Sequence, residues 1–203
     1  MKNVKAVSTR PVVCIVHGVG YQEPGSVETS SVARFAKDFG QQTGANTTLF
    51  QWQHPGPLPA DPRNTFLFKY VREAVDEIIM DFSYVLFNLN MISAQLPLAD
   101  LYIGHSAGGI IVSVKTDRPQ ILMGCPVQMI NSVRMCSNGA NVLNLMHYRD
   151  PVASPVNSAE NVITYEPLLT SVVNPFEAHT AYWTSSEVMT QCLRWYDRYV
   201  RRA

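Results

Sequence analysis

The sequence predicts a single-domain α/β fold, with a mostly parallel central sheet carrying helices on both faces. Three observations lead there. Pro11 to His17 is a continuous, largely β-branched apolar run closed by Gly18 and Gly20, the pattern of a strand buried on both faces of a parallel sheet. A second apolar run, Leu98 to Ile103, enters the glycine-rich segment Gly104 to Gly109 directly. Between and beyond these runs, segments with helical spacing alternate with short strands, as βαβ units do. At 203 residues and 46% hydrophobic composition the chain can bury one sizeable core, so residues 1–203 are read as one domain.

Following the first strand, Val27 to Gln42 places Val32, Phe35, Ala36 and Phe39 on one helical face, and Gly44 is the expected stop. Thr47 to Gln53 reads as a strand. His54 to Pro62 holds four prolines and must be irregular; it is the segment available as a lid. Asn64 to about Gln95 is helical and apolar on more than one stripe, which predicts a helix that is covered or broken into two packed pieces. Core packing is its simpler role; a dimer or membrane-docking surface over Phe66 to Leu89 is the alternative. After the third strand, Ile110 to Lys115 continues as a short helix. Val127 to Asn131, Val142 to Met146 and Asn161 to Tyr165 are strand candidates, and Thr180 to Arg202 closes the chain as a helix.

Sixteen basic and sixteen acidic side chains balance, which removes any global electrostatic reason to expect nucleic acid or an anionic membrane as partner. No stretch approaches the roughly 18 apolar residues of a membrane span, and the N-terminus shows no signal-peptide pattern. A cytoplasmic location without stable membrane insertion is expected. Cys14, Cys125, Cys136 and Cys192 are scattered and read as reduced structural thiols, with a Cys125–Cys136 bridge compatible with the spacing. Histidines and cysteines do not fall into metal-ligand spacing and no phosphate-binding glycine fingerprint is present, so no metal and no cofactor is expected.

The chemistry-bearing feature is Gly104-His105-Ser106-Ala107-Gly108 between a strand and a helix. In such a junction the serine stands on a tight turn clear of the sheet edge, and glycines flank it because a Cβ there would collide with neighbouring elements. Acyl transfer from that serine requires two N–H donors for the developing oxyanion. Ala107, immediately after it, offers one. The loop after the first strand offers the other, from Val19 or, next, Gly18. His17 and His105 adjoin these two turns and are candidate substrate-binding residues; for His17, shaping its loop is the simpler role.

The order nucleophile, acid, base leaves only histidines after Ser106 as candidates for the base, namely His147 and His179. His179 lies in a predicted loop before the final helix, where an imidazole can reach over the serine. Asp150, at a strand end and followed by Pro151, is the matching acid. Glu177 stands too close in chain to His179, and Glu166 and Glu160 are weaker rivals. An acid that orients the ring and stabilises its imidazolium completes a Ser106–His179–Asp150 relay.

With these surroundings the sequence resembles the α/β-hydrolase superfamily, and more narrowly its lipase and esterase members. The resemblance is carried by His17-Gly18 after a β-branched strand, by Gly104 to Gly109, and by Tyr148-Arg-Asp150-Pro-Val together with His179-Thr-Ala-Tyr-Trp183. It implies an α/β-hydrolase fold with a minimal cap or none, since about ten residues separate the candidate strands before and after Asn131 and Val142. The site is then expected to be relatively open. It further implies a serine esterase or lipase that hydrolyses small or lipid-like esters. Thioesterase, amidase or acyltransferase chemistry uses the same triad, and a non-catalytic binding module on this scaffold is the contrasting expectation; a homo-oligomer is compatible with either.

Overall fold

The computed structural model describes residues 10–18, 30–52, 82–115, 117–126, 141–156, 159–165 and 177–202. Among them, six strands form one sheet: β1 (Val12–Val16), β2 (Asn46–Phe50), β3 (Leu101–His105), β4 (Gln120–Met123), β5 (Val142–His147) and β6 (Glu160–Thr164). Their order is β2-β1-β3-β4-β5-β6, and every adjacent pair is parallel. Period-two alternation sends the side chains to two apolar clusters. Val13, Ile15, Leu101, Ile103, Ile121, Met123, Leu143 and Leu145 face one way, against helices α1 (Ser31–Thr43) and α5 (Ser186–Tyr199). Cys14, Val16, Tyr102, Leu122 and Val142 face the other, against the helical residues 82–94 (α2) and helix α3 (Ala107–Ser113). A sheet covered on both faces is the predicted arrangement, and it explains why β1 reads as an unbroken apolar run.

Helix α1 ends where the sequence marks it: Gly44 takes φ 74° and its N–H bonds the Gly40 carbonyl at 2.9 Å. The α2 face bearing Val85, Leu89 and Ile92 is buried in the core, as packing requires, while Leu86, Phe87 and Met91 stay exposed. The earlier part of the predicted 64–95 helix lies outside the described residues, as does the proposed lid at 54–62. Among the described residues no helix is long and apolar enough to cross a membrane. Cys14 and Cys192 are buried free thiols; Cys136 is outside the described residues.

Three boundaries differ from the sequence expectation. The third strand begins at Leu101 rather than Leu98, because Leu98 is 91% exposed and the chain enters the sheet only after the Asp100 carboxylate takes the Val12 N–H at 2.9 Å. The fourth strand is Gln120–Met123, and the 127–131 candidate lies outside the described residues. Between Pro119 and Gly124 only Ile121, Leu122 and Met123 are apolar, too few for a period to show. The final helix is preceded by two short turns, α4 (Glu177–Thr180) and a 3₁₀ turn (Ala181–Trp183). Ser185 then caps a fresh start for α5, its side chain accepting the Val188 N–H at 3.1 Å.

The connections place the site. From β1 the chain goes outward to β2, then returns across β1 to β3, so crossovers leave the β1/β3 boundary in opposite directions. A crevice at the carboxyl ends of the strands is expected at such a switch point, and the turns after β1 and β3 both end there.

Candidate active site

Strand β3 delivers Ser106 onto a turn with φ 54° and ψ −122°, the one non-glycine residue at positive φ among the described residues. An L-residue held there costs on the order of 1–3 kcal/mol. The turn is braced: the Ser106 N–H bonds the Met123 carbonyl at 2.9 Å, and the Gly109 N–H bonds the Ser106 carbonyl at 3.0 Å. On the β1 side Gly18 packs directly on the serine, where a Cβ would come to 2.9 Å from Ser106 Cβ, so the close approach of the two turns demands glycine. Ala107 opens α3 beside the serine; Val19 lies outside the described residues.

The Oγ of Ser106 lies 2.9 Å from His179 Nε2. On its other side the ring meets both oxygens of Asp150, with Nδ1 at 3.1 Å from Oδ1 and 3.0 Å from Oδ2. An ionised carboxylate only accepts, so the Nδ1 proton belongs on that side, which turns the Nε2 lone pair toward the serine. Strand β5 places Asp150 just past its end, and α4, rather than the expected loop, carries His179. The three side chains that the sequence singled out are thus within hydrogen-bond distance in one line.

Asp150 is a fully enclosed carboxylate, its side chain 0% exposed against 10% for His179. Burial works against its charge, but the hydrogen bond and charge of His179, the Val152 N–H and the Tyr182 hydroxyl outweigh it, and its pKa lies below the ordinary carboxylate value. The Val152 N–H reaches Oδ1 at 2.8 Å and the Tyr182 O–H reaches Oδ2 at 2.8 Å. Tyr182 also accepts the His147 N–H at 2.7 Å, tying the acid to the end of β5. Sequence reasoning did not assign Tyr182 a role, although its spacing of three residues after His179 sets it on the same side of a helical turn. Gly124 was also missed. It takes φ 57°, and a Cβ there would sit 2.9 Å from Asp150 Oδ2.

The remaining candidates divide clearly. His17 stacks on Trp52 with ring centroids 5.4 Å apart, its carbonyl accepts the Trp52 indole N–H at 3.1 Å, and its Nδ1 contacts the Gly18 carbonyl. Burial lowers its pKa to about 4, so the ring is neutral at pH 7. His105 is 5% exposed and its Nε2 meets the His179 main-chain carbonyl at 2.6 Å. Burial, reinforced by the charge of His179, lowers its pKa to about 3. The rival base His147 accepts the Arg149 N–H on Nδ1 at 3.2 Å, and the rival acid Glu160 pairs with Arg198 at 2.8 Å; Glu166 is outside the described residues. Among the described residues no group of three or more histidine, cysteine or acidic side chains could hold a metal ion.

Ser106 itself is buried, and the expected openness of the site falls on segments outside the described residues, 53–81 and 127–140 among them. Gly18 and His179 pack directly on the serine.

No family model matches the chain, and no curated protein matches it. Among solved structures it is similar to a lidless α/β serine hydrolase from Xanthomonas campestris, with 15% identity over 94% of this chain and 85% of that one, at a TM-score of 0.47. It is similar also to an esterase domain from Rhodothermus marinus, with 16% identity over 96% of this chain and 90% of that one, at a TM-score of 0.43. A third is an α/β serine hydrolase homologue from Coxiella burnetii, with 18% identity over 91% of this chain and 89% of that one, at a TM-score of 0.44.

Proposed function

We propose that this chain is a serine hydrolase acting on carboxylic esters, with Ser106 as nucleophile, His179 as general base and acid, and Asp150 as the orienting acid. The observation that carries the reading is the continuous line from Asp150 through His179 to Ser106 Oγ, converging on a serine held at positive φ.

In the first step His179 Nε2 takes the hydroxyl proton as Oγ attacks the ester carbonyl carbon. The carbonyl oxygen becomes an oxyanion, for which the Ala107 N–H is one donor and Val19 or Gly18 supplies the other. Collapse expels the alcohol oxygen, which leaves with the proton from His179. Water then gives a proton to the same nitrogen as its oxygen attacks the acyl-enzyme, the acid is released, and Ser106 regains its proton. Asp150 stays ionised throughout and stabilises the imidazolium.

A small activated ester is the substrate for the test. p-Nitrophenyl acetate turnover is expected for the wild type and is expected to fall by at least about a thousandfold in both Ser106→Ala and His179→Ala, with melting transitions retained. Undiminished turnover in either folded variant removes that residue from the mechanism.

A further inference from the structure

We propose that His105 is a positioning residue for the base: its Nε2–H clamps the main chain of His179 to the residue next to the nucleophile. The proposal rests on reading Ser106, His179 and Asp150 as the acyl-transfer triad.

The base is carried on weak local structure. Helix α4 is four residues long and passes into a three-residue 3₁₀ turn, lengths that have little stability of their own. His179 lies in the last turn of α4, where carbonyls lack α-helical partners. Its side chain is fixed from β5 through Asp150, but an imidazole held only at Nδ1 can still swing about that contact. His105 supplies the second anchor from β3, at 2.6 Å from the His179 oxygen. A carbonyl offers only lone pairs, so this contact requires the proton on Nε2 of a neutral His105 ring. Its neighbours enforce neutrality: the His179 ring is centred 4.8 Å away, and Tyr182 and Trp183 close two further sides at 5.5 Å each. A charged His105 would repel the imidazolium that His179 becomes in the reaction, whereas a neutral donor holds it without opposing it. Both ends of the clamp belong to reacting residues or their chain neighbours, so the clamp sets the 2.9 Å separation between Oγ and Nε2 directly.

Ring packing against His179 is the competing account of the same contacts, and two substitutions separate them. His105→Gln keeps an N–H donor at the same reach and loses the ring; His105→Phe keeps the ring and loses the donor. His105→Met serves as a second donorless variant if Phe is too large to fold, since an unbranched thioether adapts to irregular space. A misplacement of about 1 Å costs on the order of a hundredfold. We expect Phe and Met to lower kcat by about 10–100-fold with KM within about threefold, and Gln to stay within about threefold of wild type in both. The rate of Ser106 phosphonylation by a fluorophosphonate, normalised to folded monomer, should fall in parallel. If Phe or Met reacts as fast as wild type, or Gln is as slow as they are, the clamp is refuted while the triad stands. If the wild type itself neither turns over ester nor is phosphonylated at Ser106, the triad reading fails and the clamp with it.

Discussion

The two ends of the sheet use the same kind of acidic side chain to opposite effect. At the carboxyl ends of the strands, Asp150 is wholly enclosed and takes hydrogen bonds from His179, Tyr182 and Val152. At the amino ends, Asp100 and Asp117 flank Arg118 at 4.0 Å and 3.5 Å, with side chains 48%, 76% and 49% exposed. Charges in that setting are solvated and screened, and such pairs contribute about 1 kcal/mol or less. What distinguishes the two ends is therefore enclosure together with directed donors, which fixes a carboxylate's charge and aims it at one ring. It also leaves the active end fragile, because each donor removed exposes a buried charge to an unmet need.

The largest break is expected at Asp150. Asp150→Asn keeps the shape but presents an amide to Nδ1, which favours the wrong imidazole tautomer, and kcat for a p-nitrophenyl ester should drop by about 10⁴-fold. A loss of under about tenfold would show that enclosure of this carboxylate is irrelevant to the chemistry.

Next is Tyr182→Phe. Removing the hydroxyl takes a donor from Asp150 and leaves the buried His147 N–H without its acceptor, for an expected cost of about 1–3 kcal/mol by urea unfolding. Ester kcat should fall roughly tenfold as the acid loosens. An unchanged unfolding midpoint would mean that water replaces the hydroxyl.

How much of this was readable in advance follows from what each residue leaves in the sequence. Ser106, with glycines around it, and Asp150 and His179, with their chain order, carry local signals, and the structure brings all three together. The alternating apolar runs likewise announced a parallel sheet covered on both faces. Gln120–Met123 escaped because a four-residue buried strand opening on glutamine has no period, and the glutamine is accommodated only by its bond to the Lys115 carbonyl. The division of the last helix rests on Ser185, which caps α5 through the Val188 N–H three residues on, a local signal masked by helical spacing that runs on from Thr180. Tyr182 and His105 lie in the motifs beside the base and the nucleophile, but the partners through which they act stand 32 and 74 residues away, so their roles show only in the folded chain.

A pH shift sharpens the comparison without mutation. His17 and His105 have folded pKa values of about 4 and about 3 against an ordinary 6.5. Below pH 6.5 the unfolded chain therefore takes up protons that the folded chain refuses, and stability falls with pH. It is fully present above 6.5 and declines toward pH 4, by on the order of 2 kcal/mol per histidine at pH 5. Asp150 acts in the same direction only below the ordinary carboxylate value of 3.8. Urea midpoints at pH 7 and pH 5 check this: a lower midpoint at pH 5 is expected, with a shallower dependence in His105→Gln. Equal midpoints would mean that the two rings are protonated in the folded chain.

The smallest effect belongs to the opposite end. Arg118→Ala should change stability by about 1 kcal/mol or less and leave ester turnover unaltered. A larger loss of activity there would erase the contrast between the two ends.

The most direct test of the central claim is the intact mass of the protein after exposure to a fluorophosphonate. The wild type should gain one phosphonyl group, located by peptide mapping on Ser106, and Ser106→Ala should gain none. A folded wild type that gains no mass, or an adduct that persists in Ser106→Ala, would contradict it.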